Sequence, residues 1–154
     1  MNTQDKFIEA STKERKLMTQ LFEQYNVNMY DFTPADSMDR EEGYYTGATN
    51  NQPYIFEVKN RGIASTTYNT IMIEASKVNY LLEQAKERNE KAVIFFFFRD
   101  GYWMHQELDN NQFYSTITMP MPLTTMGTNN RMVLKECIEF PIIKESLKKY
   151  QKLG

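Results

Sequence analysis

The sequence predicts an α/β protein with a mixed central sheet flanked by helices. Apolar residues recur at helical spacing in two separate stretches, and segments rich in aromatic and β-branched residues lie between and after them. The resulting order is helix, strand, strand, helix, strand, strand. That order suits a layered α/β arrangement better than a helical bundle or an all-β barrel.

Leu17, Met18, Leu21, Phe22 and Tyr25 mark the buried stripe of the first helix. Ser11 or Thr12 caps this helix, or lies inside a longer one that starts near Thr3. Residues 26 to 34 read as extended. After DSMDREEGYYTG comes a stretch rich in turn formers, and two short strands, Gly43 to Thr46 and PYIFEVKNR, joined by a turn at 47–52 make a hairpin. Gly62 to Thr70 is expected to be a loop. Ile71, Ala75, Val78, Leu82 and Ala85 then predict a second helix from about Thr70 to Arg88.

The six consecutive apolar residues from Val93 to Phe98 have the length and composition of a strand covered on both faces. Asp100-Gly101 signals a tight turn, with residues 102 to 108 returning as the next strand. Phe95 to Phe98 belong to the core, because a solvent-facing run of this kind would aggregate. Beyond Asp109 the prolines and glycine of NQFYSTITMPMPLTTMGTNN argue against regular structure. VLKECIEF alternates as an edge strand does, and a short amphipathic helix is expected near Lys144 to Leu153.

At 154 residues, 41% hydrophobic and 25% charged, the chain suits one domain. A core of about 10–108 and a C-terminal extension of 109–154 are the expected boundaries. No run has the length of a membrane span, and the polar start lacks the apolar centre of a signal peptide, so no membrane partner and a cytoplasmic location are expected. One Cys137 and one His105 rule out a disulfide framework and a zinc site of soft ligands. Any metal would be held by carboxylates, which favours Mg²⁺ or Mn²⁺. A formal charge of -2 supplies no overall pull toward nucleic acid and leaves room for a local basic groove.

FEVKNR, within the second strand of the hairpin, is the segment that carries chemistry. Side chains alternate along a strand, so Ile55, Glu57, Lys59 and Arg61 share one face while Tyr54, Phe56 and Val58 share the other. A structural ion pair between Glu57 and Lys59 is the bland account. Glu14-Arg15-Lys16 repeats the acid-x-lysine pattern inside a helix, where the acid and the lysine diverge. What distinguishes Glu57-Val58-Lys59 is its setting: an acid-bearing extended segment and a hairpin before it, a helix and a buried strand after it.

In that setting the chain resembles the PD-(D/E)XK nuclease superfamily over roughly residues 10 to 108. The resemblance implies a restriction-endonuclease-like αβββαβ core and an endo- or exodeoxyribonuclease dependent on Mg²⁺ or Mn²⁺. An aspartate on one strand and the acid-x-lysine triplet on the next would form its site. Asp39, 18 residues before Glu57, is the favoured upstream acid; Asp36, in PAD, is the alternative, and Asp31 a third. The implied catalytic set is Asp39, Glu57 and Lys59, with Asp39, Glu57 and Val58 at the metal.

Such a site has a chemical rationale. Two carboxylates on adjacent strands hold a divalent ion, while the lysine orients or helps deprotonate the attacking water. Glu14 continues the inward stripe of the first helix, so it joins the site or ends as an exposed acid. Arg61 is placed to clamp phosphate, and Lys77 of the second helix to contact it, unless Lys77 forms a surface pair with Glu74. DNA is the expected partner, with structure or end selectivity; RNA stays open, as does a homodimer or a protein partner. The competing reading is an inactive nuclease-fold protein that binds nucleic acid or assembles with a partner through 109–154.

Overall fold

The apolar run beginning at Val93 lies inside the main sheet of the computed structural model, which describes residues 3–34, 41–123 and 131–150. This strand, β5 (Lys91–Phe98), is buried from Ala92 onward. Ile94, Phe96 and Phe98 enter one hydrophobic cluster and Val93, Phe95 and Phe97 another. The sheet therefore separates two cores, and β5 supplies both.

The remaining strands assemble around it. After α1 (Thr3–Gln24), an antiparallel meander is formed by β1 (Tyr30–Phe32), β2 (Gly43–Thr46) and β3 (Pro53–Arg61). α2 (Ala75–Arg88) then carries the chain across one face, so that β5 returns parallel to β3. β6 (Tyr102–Leu108) folds back against β5 through a turn at Gly101, whose φ of 87° suits glycine. β9 (Lys148–Lys149) completes the order β1-β2-β3-β5-β6-β9. This is the mixed central sheet with flanking helices that the sequence predicts, and the three-stranded meander, crossover helix and parallel return match the expected αβββαβ core.

Four local expectations are corrected. The second helix starts at Ala75, not Thr70, because Thr70–Glu74 forms β4 and feeds straight into it. Ile71 and Ile73 are buried while Met72 is half-buried, a period of two that suits their β-branched side chains and the pairing with β8 (Met132–Pro141). β8 is no edge strand: it runs between β4 and β7 (Thr116–Pro122) in a second sheet. β7 forms despite Pro120 and Pro122, since an edge strand has one side that needs no amide donors. The expected C-terminal helix is only a 3-10 turn at Lys144–Ser146 followed by β9.

α1 packs Leu17, Met18, Leu21 and Phe22 over Phe56, Val58, Phe95 and Phe97 on one face of the main sheet. On the other face Val78, Leu81 and Ala85 of α2 join Ile55, Ile94 and Phe96, with Ile71, Ile73, Ile138 and Phe140 of the second sheet behind them. Ser11 lies inside α1 and is buried. Asn89 ends α2 in the left-handed region, φ 53°, and the next amide, that of Glu90, returns to Ala85 O at 2.8 Å.

Candidate active site

The site lies at the end of the hairpin. Thr46 pairs with Pro53 and Gly43 with Phe56, and the ladder ends there. The amide of Glu42, the residue just before Gly43, also reaches β3, donating to Phe56 O at 2.9 Å. The carboxylates of Glu42 and Glu57 are both buried, with Glu57 only 5% exposed. Their partners come from opposite faces of the sheet, Arg15 of α1 for Glu42 and Lys77 of α2 for Glu57, yet the two acids are near enough for Glu57 to raise the pKa of Glu42.

β2 and its extension stop at this point, and among the described residues no strand pairs with the edge of β3 beyond Glu57 on that side. Phe56, Val58 and Asn60 turn their backbone groups toward this edge by alternation. The Val58 amide donates to Glu57 Oε1 at 3.1 Å, and the Asn60 amide bonds the carboxylate of Glu14, which arrives from α1. The Val58 carbonyl opens onto the same edge. Glu14, Glu42, Glu57 and Lys59 thus gather where α1 crosses the end of the hairpin.

The gathering shows in their proton affinities. Burial, and then the nearby Glu42 and Glu57, push the Glu14 carboxyl up to about 8, against the pull of Lys59 and the Asn60 amide. Glu42 is raised by burial and by Glu57, and drawn back by its hydrogen bond to Arg15 and by Lys59. Two cations compensate the acids. Arg15 Nε lies 2.9 Å from Glu42 Oε1, and Lys77 Nζ lies 2.9 Å from Glu57 Oε2. Lys59 forms no ion pair among the described residues.

The sequence-derived candidates among the described residues fall as follows in the fold. Glu57, Val58 and Lys59 sit together on β3, and Glu14 turns inward instead of ending as an exposed acid. Lys77 meets Glu57, not Glu74, which pairs with Lys135 of β8 at 3.0 Å. Arg61 donates from Nη2 to Met72 O at 2.8 Å and so ties β3 to β4. Its guanidinium is half-buried, and burial lowers its pKa. Asp36 and Asp39 lie outside the described residues; Asp31 lies on β1 and bonds the Phe32 amide at 3.0 Å.

Glu42 is the residue that sequence reasoning missed. Its signal was its position: residue 42 directly precedes the Gly43–Thr46 strand, at the same end of the hairpin as Glu57. Attention to aspartates obscured it. Beside it, Glu41 accepts hydrogen bonds from the hydroxyls of Tyr44 and of Tyr80, the latter at 2.8 Å. This carboxylate links α2 to the start of β2 and fixes the backbone on which Glu42 stands.

No group of three acidic, histidine or cysteine side chains among the described residues is arranged to chelate a metal. The carboxylate of Glu57 is engaged by Lys77 and that of Glu42 by Arg15. The donor set nevertheless suits a hard cation: Glu42, Glu57 and the Val58 carbonyl offer oxygen alone. Mg²⁺ commonly takes one or two carboxylates and completes its shell with water. Among the described residues no helix is long and apolar enough to cross a membrane.

No family model matches the chain, and no curated protein matches it. Among solved structures it is similar to a Holliday junction resolvase from the archaeal hyperthermophile Archaeoglobus fulgidus, with a TM-score of 0.46 and 12% identity. The match covers 65% of this chain and 79% of that chain.

Proposed function

We propose that the chain is a metal-dependent nuclease of the PD-(D/E)XK type that hydrolyses phosphodiester bonds in DNA. The observation that carries this reading is the gathering of Glu14 and Glu42 around Glu57 and Lys59, which stand two residues apart on one face of β3. Glu42 takes the role that the sequence suggested for Asp39. With Glu57 and the Val58 carbonyl it would hold Mg²⁺ or Mn²⁺ at the edge of β3, where Glu14 arrives from α1. Such an ion would supply a lowered pKa for water and compensation of charge on the phosphoryl oxygens.

The chain's own groups do the rest. Lys59, without an ion-pair partner among the described residues, orients the attacking water and offsets the charge that develops on the phosphate. Arg15 and Lys77 neutralise Glu42 and Glu57 in the absence of cation and turn to substrate phosphate when the cation takes over that task. Both are near enough to the surface to move.

A second reading, an inactive nuclease-fold binding module, is favoured by those same two ion pairs, which already satisfy the acids. Purified protein incubated with linear, nicked and branched DNA and Mg²⁺ or Mn²⁺ decides between them. The nuclease reading expects cleavage that falls by about 10²–10⁴-fold in Lys59→Ala. Cleavage unchanged in that variant sinks the mechanism, and no cleavage of any substrate by the wild type supports the module.

A further inference from the structure

On the face of the main sheet opposite Lys59, past the end of α1, lies a cavity of about 350 Å³. This is at the small end of the range for small-molecule sites, roughly 300–1,000 Å³. Its walls are aromatic. Tyr45 and Tyr54 stack with ring centres 4.7 Å apart and planes 11° apart, and Phe95, Trp103 and His105 follow one another at 6.1 and 6.0 Å. Tyr25, 41% exposed, stands at the mouth.

One polar feature distinguishes this cavity from a packing defect: Lys148 on β9, whose Nζ lies 5.2 Å from the centre of the Trp103 ring and 5.4 Å from that of Tyr25. Among the described residues Lys148 is the one acidic or basic side chain, histidine aside, on the lining. His105 is held toward its neutral form by burial and by Lys148.

The lining thus offers π faces, the polar side chains of Thr49 and Asn50, and one ammonium. Its complement is a flat aromatic ring with an anionic substituent. We infer that this cavity binds a planar aromatic anion of the nucleoside monophosphate class, with its ring against the aromatic walls and its phosphate on Lys148. Stacking on tyrosine and tryptophan serves any base, whereas Lys148 selects for the charge. This site stands independently of the acid cluster across the sheet.

Trp103 is the chain's only tryptophan, so its fluorescence reports occupancy directly. The full chain is titrated with dAMP, deoxyadenosine, inorganic phosphate and a short single-stranded oligodeoxyadenylate. A saturable change with dAMP is expected, with no response to phosphate alone. Lys148 is exposed, so Lys148→Ala leaves the fold intact; dAMP affinity falls roughly tenfold in it, to the level of deoxyadenosine. Tyr25→Leu weakens both ligands. Lys59→Ala binds dAMP as the wild type does, which separates this site from the nuclease reading. The inference is overturned if dAMP gives no saturable response, or if Lys148→Ala and Tyr25→Leu bind it unchanged. A response to the oligonucleotide without one to dAMP also overturns it, because the surface then contacts a strand instead of a mononucleotide.

Discussion

Glu14 shows how one side chain can bind the chemistry of the site to the stability of the fold. Its carboxyl is raised to about 8 by burial and by the neighbouring Glu42 and Glu57, whereas the unfolded chain holds it near 4.5. Between those values the folded state binds the extra proton. The favourable contribution is therefore complete below pH 4.5 and is lost as pH rises through about 8. In buffer free of divalent ions, Glu14→Gln keeps the neutral form at every pH. At pH 9 it is expected to be more stable than the wild type by about 1–3 kcal/mol, after discounting for solvent screening, and nearly equal to it at pH 4. Urea unfolding at the two pH values measures the difference; equal gaps would mean that Glu14 is not crowded by the other acids.

At the level of elements, much of the fold was legible because periodicity and burial agree. The run from Val93 to Phe98 could only be a strand covered twice, and Leu17 to Phe22 only one face of a helix. Legibility failed where two periods overlap. Ile71 and Ala75 fit helical spacing, yet Ile71 and Ile73 alternate in a strand whose partner, β8, lies over 60 residues away in sequence and is invisible to local patterning. The prolines of β7 misled for the converse reason, since an edge position removes their cost. Within the site, Glu57 and Lys59 were readable from strand alternation. Glu42 precedes the paired residues of β2, and its place depends on α1, whose Arg15 it meets.

The register of β2 has a tight point at Gly43. A Cβ there would lie 2.1 Å from the carbonyl oxygen of Asp31 on β1, which is backbone and has little room to give. Gly43→Ala is therefore expected to force β1 away from β2 and to cost about 1–3 kcal/mol of stability, as overpacking does. Because Glu42 is the adjoining residue, the same change also weakens cation binding. Unfolding by denaturant and a metal titration on one sample measure both effects, and an undisturbed variant would contradict the pairing of β1 with β2.

The whole molecule explains why the acids sit at one end of the hairpin. α1 covers one face of the main sheet, α2 and the second sheet cover the other, and each helix delivers a charged residue to the open edge of β3: Glu14 from α1, Lys77 from α2. Residues beyond 109 are part of this construction, for Ile138 and Phe140 of β8 are buried in the core behind α2 and β9 extends the main sheet. The layers bring the acids together, and Arg15 and Lys77 pair with two of them. Thermal unfolding across a Mg²⁺ and Mn²⁺ titration, on the wild type, Glu42→Ala and Glu57→Ala, tests this most directly. A saturable rise in the wild-type midpoint that disappears in both variants is the expected result; an identical response in all three would show that Glu42 and Glu57 do not hold the ion.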